Sequence, residues 1–485
     1  MGFNFESYLS ERTIEHENKN VELNSERSFL SFYTLCIDIE KHLMQTATDD
    51  TSKDWNAIQT EAIIGEEKGV NLYLELINTY LNKFGKNNVL FPPWYKKLDE
   101  AVFHEIIGLG GVAEWLEMQN SSTCKVIQPY IYFKIDGQLE KQKQTFSEER
   151  FDKMINTLVQ SDIAKRKSED IIELMILNGK IRVTILKNVN KKHSKGTVIF
   201  RKYTVQSRSL NNKEKFQLEE LAELEMIGYE AIPLLKAMVA TRFNVNFIGA
   251  PETGKTTLLS YYQANENTKF EGITIQNEAE FHARELLDAP IIEFIIDDNN
   301  RKETQAAILR SDLDYLVYGE TRKGVEVNLL VFLITKGIRG NKATYHTQLR
   351  PEDFPYLAAK QIQEETTSEL WATMLTLASG FDFLIETIKD PDNPGKKRLR
   401  GIHELRVDEE TLLIQSNTIC LYDFRTQSWT YNDDISRQTK ETAYITDYKA
   451  FDQFQEILTS LAQKYPMPDE LKVRTSLYSK LIPKY

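Results

Sequence analysis

Cysteine is scarce: Cys36, Cys124 and Cys420 stand far apart in 485 residues, with no pair at metal-ligand spacing. That excludes a disulfide scaffold and a cysteine zinc site, and it suits a reducing compartment. No stretch approaches the roughly 18 consecutive apolar residues of a membrane span. Contact with a membrane would therefore have to pass through partners. The opening MGFNFESYLSERTIEHENKN is too polar for a signal peptide. Positive charge is in deficit as well. With 60 Lys and Arg against 72 Asp and Glu, the formal net charge is −12, which argues against an open nucleic-acid surface. Internal repeats and low-complexity segments are absent. What remains is an ordinary globular composition, 41% hydrophobic and 27% charged. The length suits about three domains. The expectation is a cytoplasmic protein with no direct nucleic-acid partner.

Against that plain background one stretch stands out, FNVNFIGAPETGKTTLLS from Phe243 to Ser260. Phe243, Val245 and Phe247 alternate as in a buried strand, which runs into Gly249; Gly254, Lys255 and Thr256 follow and open a helix. This is the phosphate-binding loop G-x-x-x-x-G-K-[ST] in the strand-to-helix context it requires. Such a loop wraps a polyphosphate with backbone N–H groups, so glycines sit where the main chain nears the anion or takes positive φ. The predicted nucleotide contacts are Gly249, Ala250, Pro251, Glu252, Thr253, Gly254, Lys255, Thr256 and Thr257. Lys255 would reach the β/γ oxygens of ATP, and the Thr256 hydroxyl would bind Mg²⁺.

The rest of the chain reads in blocks. Residues 1–95 look helical, with apolar residues at helical spacing in ERSFLSFYTLCIDIEKHL and NLYLELINTYLNKF. Pro92-Pro93 marks a boundary, after which residues 96–205 turn α/β. A hairpin is predicted around Asp136-Gly137, and another at Asn178-Gly179. Residues 206–217 read as a polar linker, and 218–485 as the block built on the phosphate loop. There the apolar Tyr315–Tyr318 stops at Gly319-Glu320, placing a carboxylate at the end of a buried strand. That is what a Walker B element needs in order to orient water or hold Mg²⁺, a metal role shared with Thr256. His346 follows a short strand. The tail reads as an antiparallel meander interrupted by the turn KDPDNPGKKR, with a last helix at DYKAFDQFQEILTSLAQKY.

The order of these motifs resembles the secretion and conjugation traffic ATPases, the motors of type II and type IV secretion and of pilus assembly. The tight-adherence pilus and conjugation branch is the most similar. The resemblance runs from about Ile106 to Phe424. LNGKIRV with TVIFRKY is similar to the family's paired N-terminal-domain strands. ITIQNEAEF stands at its acidic box, LRSDLDYLVYGETR at Walker B, and TKGIRGNKATYHT at its histidine box. The fold this implies is α/β: a P-loop NTPase whose RecA-like C-terminal motor domain follows a smaller α/β N-terminal domain and a helical extension. The function implied is a hexameric ATP-hydrolysing motor with ATP and Mg²⁺ as cofactors. It would sit at the inner face of the cell membrane, on an integral-membrane platform or coupling protein. The family roles fall on Glu320 (Walker B), Glu280 (acidic box), His346 (γ-phosphate sensing), and Arg182 and Arg201 (arginines offered to the nucleotide). Arg182 and Arg201 also fit a solvated strand face, and Glu280 also fits a helical pair with Arg284.

Three departures matter. Glu252 stands where the family has a second loop glycine, so its side chain should turn away from the phosphates. The stretch from Glu320 to Glu326 is one residue longer than the family pattern. The acidic pair of the box is Gln276-Asn277 here, and amides hydrogen-bond water without carrying its proton. A slow ATPase with good nucleotide affinity is the expectation. The alternative is a nucleotide-binding assembly or regulatory subunit that hydrolyses weakly.

Overall fold

A computed structural model describes residues 29–50, 52–118, 120–160, 171–177, 180–187, 196–202, 216–277, 281–296, 307–308, 310–347 and 350–483. The chain divides into two compact units, 1–204 and 205–485.

In the first unit, helices α1 (Leu30–Asp49), α2 (Trp55–Ile64), α3 (Glu67–Lys83) and α4 (Leu98–Ile106) bury their apolar stripes in one cluster. That cluster joins Phe32, Ile39 and Ile77 to Ala101 and Val102, so a single core runs across Pro92-Pro93. Next come the strands β1 (Thr123–Ile127), β2 (Tyr130–Ile135) and β3 (Gln138–Thr145), helix α5 (Glu148–Gln160), and β4 (Ile171–Ile176), β5 (Ile181–Lys187) and β6 (Gly196–Lys202). They form an antiparallel sheet in the order β3-β2-β1-β6-β5-β4. The hairpin at Asp136-Gly137 forms as read, with φ of 47° and 83°, the left-handed pair that suits a tight two-residue turn. Strands β4 and β5 pair antiparallel on either side of Asn178-Gly179, a dipeptide outside the described residues, as is most of the 206–217 stretch.

The second unit is a helix–sheet–helix layer structure. Helices α6 (Leu218–Glu223) and α7 (Ala231–Ala240) lead to β7 (Val245–Gly249), α8 (Lys255–Gln263), β8 (Gly272–Gln276), β9 (Ile291–Ile295) and β10 (Tyr315–Thr321). Then come α9 (Gly324–Ile334), β11 (Lys342–His346), α10 (Phe354–Glu365), α11 (Leu370–Gly380), and the strands β12 (Phe383–Lys389), β13 (Lys397–Val407), β14 (Ile414–Asp423) and β15 (Ser428–Tyr431). Helix α12 (Arg437–Lys464) and the short β16 (Val473–Thr475) close the unit. The sheet order is β15-β14-β13-β12-β7-β11-β10-β8-β9, with β16 on β14. From β12 to β9 every neighbouring pair is parallel; from β12 to β15 every pair is antiparallel.

A parallel sheet needs both faces covered, and the sequence supplies for both. Alternate residues of β7 and β10 go to opposite clusters: Val245, Phe247, Tyr315 and Val317 pack under α6, α7, α8 and α12, while Ile248, Leu316 and Tyr318 pack under α9, α10 and α11. One strand, β11, separates the phosphate-loop strand β7 from the acidic strand β10, the order of a RecA-like P-loop core. The α/β fold class read from the sequence is the one observed. Among the described residues no helix is long and apolar enough to cross a membrane.

Candidate nucleotide site

Ligands of open parallel sheets gather beyond the carboxyl ends of the strands, and the second unit places its chemistry there. Strand β7 is buried along its whole length and delivers the chain to Gly249, whose φ of 148° lies outside what side-chain-bearing residues readily adopt. A Cβ at Gly249 would lie 2.4 Å from the carbonyl oxygen of Thr387 on β12, so close approach demands glycine as well. Gly254, at φ 91°, is the residue from which α8 starts, and a Cβ there would press on Lys397 and Met226. The N-terminus of α8 thus faces the loop it terminates, with N–H groups and a positive dipole end suited to an anion. Thr253 donates its hydroxyl to the Ala250 carbonyl at 2.9 Å, and its oxygen lies 2.8 Å from the Thr387 hydroxyl.

Glu252 is the exception in the loop. It has φ 63°, the left-handed region where an L residue costs about 1–2 kcal/mol. The backbone therefore keeps the conformation that suits glycine although the residue is glutamate. Its carboxylate accepts from Lys389 Nζ on β12 at 2.9 Å. The expected turning away of this side chain is an ion pair with a strand 137 residues on.

Lys255 is buried, and its ammonium donates to the carbonyls of Gly249 at 3.0 Å and Ala250 at 2.9 Å. Its third contact is His346 Nδ1 at 3.0 Å. An ammonium only donates, so Nδ1 accepts and the ring proton sits on Nε2. That nitrogen donates to Glu320 Oε1, while the other carboxylate oxygen accepts from Arg322 Nε at 2.7 Å. A continuous polar chain, Lys255–His346–Glu320–Arg322, therefore crosses the ends of three adjacent strands. Burial pushes the Lys255 ammonium down to about 8, with the Glu320 carboxylate pulling the other way. Burial alone would raise the Glu320 carboxyl; the hydrogen bonds from His346 and Arg322, and the Arg322 charge, outweigh it and hold the group at about 2. Glu320 is thus ionised at neutral pH. It leaves the regular ladder because the pairing of β10 with β11 shifts between Tyr318 and Thr321.

A cleft opens beside this chain, lined by Thr256, Gln276, Asn277, Gly319, Glu320 and Arg322. The amide pair on its wall is engaged in structure. Gln276 Nε2 donates to the Phe281 carbonyl at 2.9 Å, and its Oε1 accepts from the Phe281 N–H at 2.8 Å. Asn277 Nδ2 donates to Glu326 Oε1 at 2.6 Å. The fully buried Glu326 spends its second oxygen on the backbone N–H groups of Arg322 and Lys323, fixing the first turn of α9. A glutamate at position 276 would lose the donor that the Phe281 carbonyl accepts from. Among the described residues Asn277 Oδ1 is a buried acceptor without a partner, in a cleft that also holds the Thr256 hydroxyl and the Glu320 carboxylate. An all-oxygen donor set of this kind fits Mg²⁺, a hard cation.

Of the residues singled out in the sequence, the structure brings together the loop 249–257, Glu320 and His346. Glu280 lies outside the described residues. Arg182 and Arg201 belong to the first unit, where they stand opposite each other on β5 and β6. Arg182 is buried and donates to Glu173 at 2.7 Å; Arg201 is exposed. Sequence reasoning missed Thr387, Lys389 and the capping role of Glu326. The signal for Lys389 was present: a glutamate in a glycine position calls for a cation, and the turn KDPDNPGKKR carries several.

No family model matches the chain, and no curated protein does. Solved structures do resemble it. The ATPase DotB of Yersinia pseudotuberculosis is 13% identical with a TM-score of 0.47, over 78% of this chain and 89% of that one. The pilus retraction motor PilT with bound ADP is 12% identical with a TM-score of 0.42, over 74% and 94%. The VirB11 ATPase of the Brucella suis type IV secretion system, in complex with sulphate, is 14% identical with a TM-score of 0.33, over 60% and 91%. At such scores these are likenesses of fold, and the reading of the site rests on its own geometry.

Proposed function

We propose that the chain is an ATPase motor of a secretion, conjugation or pilus apparatus. The observation that carries this is the chain Lys255–His346–Glu320 at the carboxyl ends of β7, β11 and β10, next to a phosphate loop that opens α8. In this reading the loop N–H groups and Lys255 hold the β/γ-phosphates. Glu320, ionised and fixed by two partners, orients or activates the attacking water. His346 links the two, so that movement of Lys255 onto phosphate changes the hydrogen bonding of Glu320. Thr256 and Glu320 would hold Mg²⁺, which when bound neutralises charge on the phosphates. Arg182 and Arg201 would add charge from the N-terminal domain, as arginines suited to bidentate phosphate contact. The domain layout belongs to the same reading: extension 1–95, α/β domain 96–205, linker 206–217 and motor 218–485. So do a hexameric ring, a membrane platform or coupling protein as partner, and a place at the cytoplasmic face of the membrane.

A second reading is favoured by one observation. The Gln276 amide is committed at both ends to the Phe281 backbone, and the Asn277 NH2 to the helix-capping Glu326. A nucleotide-binding assembly subunit with weak turnover would carry such a site. Steady-state phosphate release with Mg²⁺-ATP separates the two. The motor reading expects measurable turnover that Lys255→Ala abolishes and Glu320→Gln slows about 10²–10⁴-fold while ATP still binds. Tight binding with no turnover in the wild type would select the second reading, and full turnover in Lys255→Ala would remove the site.

A further inference from the structure

The hairpin that joins β12 to β13 was read in the sequence only as a turn. In the structure it lies along the phosphate loop. The Thr387 carbonyl packs on Gly249, its hydroxyl contacts Thr253, and the Lys397 side chain packs on Gly254. The turn itself is fixed by Asp390, which accepts from the N–H groups of Asp392 and Asn393 and from Arg398 Nε. Lys389, the last residue of β12, thereby has a fixed backbone, and its ammonium reaches the Glu252 carboxylate at 2.9 Å. Both partners are partly buried, with side-chain exposures of 33% and 28%. Glu252 needs such a partner. Its left-handed backbone places a carboxylate within a loop whose other features, two positive-φ glycines and a helix N-terminus, all favour an anion.

We infer that Lys389 is a positioning residue for the phosphate loop: it holds Glu252 off the cradle, so that the loop accepts a polyphosphate despite its own negative charge. This rests on the nucleotide reading of the site. The role is conditional by nature, because among the described residues the carboxylate that Lys389 pairs with is that of Glu252. A lysine that touched the nucleotide itself, or only supported the fold, would act whatever stood at position 252.

The test is a double-mutant cycle on the full-length protein, with ATP as the probe. Isothermal titration is expected to show Lys389→Ala weakening ATP binding roughly five- to tenfold, the scale of losing one neutralising charge several ångströms from the phosphates. Lys389→Arg should keep the affinity within about twofold, since it keeps the charge. In a Glu252→Gly background, Lys389→Ala should change affinity by less than about twofold. An equal loss in both backgrounds would overturn the inference, as would no loss in the Glu252 background. Melting the same proteins without nucleotide gives an independent reading: Lys389→Ala should lower the melting temperature only where Glu252 is present. If the wild type binds no ATP, the nucleotide reading fails. The melting cycle then decides whether the brace exists, and absence of coupling there would sink it.

Discussion

Gln276 spends both ends of its amide on one residue, donating to the Phe281 carbonyl and accepting from the Phe281 N–H. Only an amide can do both at neutral pH; a carboxylate has no donor, and would set a charge against a carbonyl oxygen in a buried position. Gln276→Glu is therefore expected to destabilise the protein by about 1–3 kcal/mol, measured by denaturant unfolding. The sign of its pH dependence follows. The protonated acid can donate to Phe281 as the amide does, so burial and the facing carbonyl raise its folded pKa above the ordinary value of about 4.3. Above that value the unfolded chain releases its proton first, and stability falls. The deficit against wild type should widen from about pH 4 to about pH 7, and a constant deficit would refute the clamp.

Helix α12 shows how one side chain resets an element. It begins at Arg437, with the Ser436 hydroxyl accepting from the Thr439 N–H, and is interrupted at Asp447, where φ is −158° and ψ is 95°. The apolar pattern of the sequence starts at that same aspartate, and for a reason: Asp447 Oδ1 accepts from the Ala450 N–H at 3.0 Å, capping a second helical segment. The preceding turns carry the exposed Tyr444 and Ile445, which hide the helix from a reading based on apolar periodicity. Loss of this cap in Asp447→Ala should cost about 1 kcal/mol by thermal or denaturant unfolding, while Asp447→Asn or Asp447→Ser should cost less than half of that. Equal losses in all three would mean that the kink, rather than the cap, sets the stability.

Each of the two units has its own core, and the phosphate loop belongs to the second. Nucleotide that binds the folded second unit stabilises it by linkage, about 2.7 kcal/mol at a hundredfold excess over the dissociation constant. If neighbouring chains complete the site, as the motor reading proposes, the same linkage favours the assembled ring. Multi-angle light scattering should then show a shift toward a six-fold species when Mg²⁺-ATP is added. A monomer persisting at high protein concentration would count against the motor.

The loop after β7 and the acidic end of β10 were legible in the linear text because their requirements are local, whereas His346 was picked out only by a resemblance of spacing. A buried strand must alternate, a loop around an anion needs glycine where φ turns positive, and a helix must open at once behind it. The α/β class followed from the same local signals. The partners of those residues were not legible. Glu252 meets Lys389, and Gly249 meets the Thr387 carbonyl, only because β12 lies parallel to β7. Residue periodicity says nothing about strand order. The Pro92-Pro93 break reads as a boundary from local backbone chemistry, yet a single apolar core runs across it, because burial depends on which helix faces meet in space. Local backbone demands and patterning determined which residues form the loop between β7 and α8; the packing of distant strands decided what holds those residues in place.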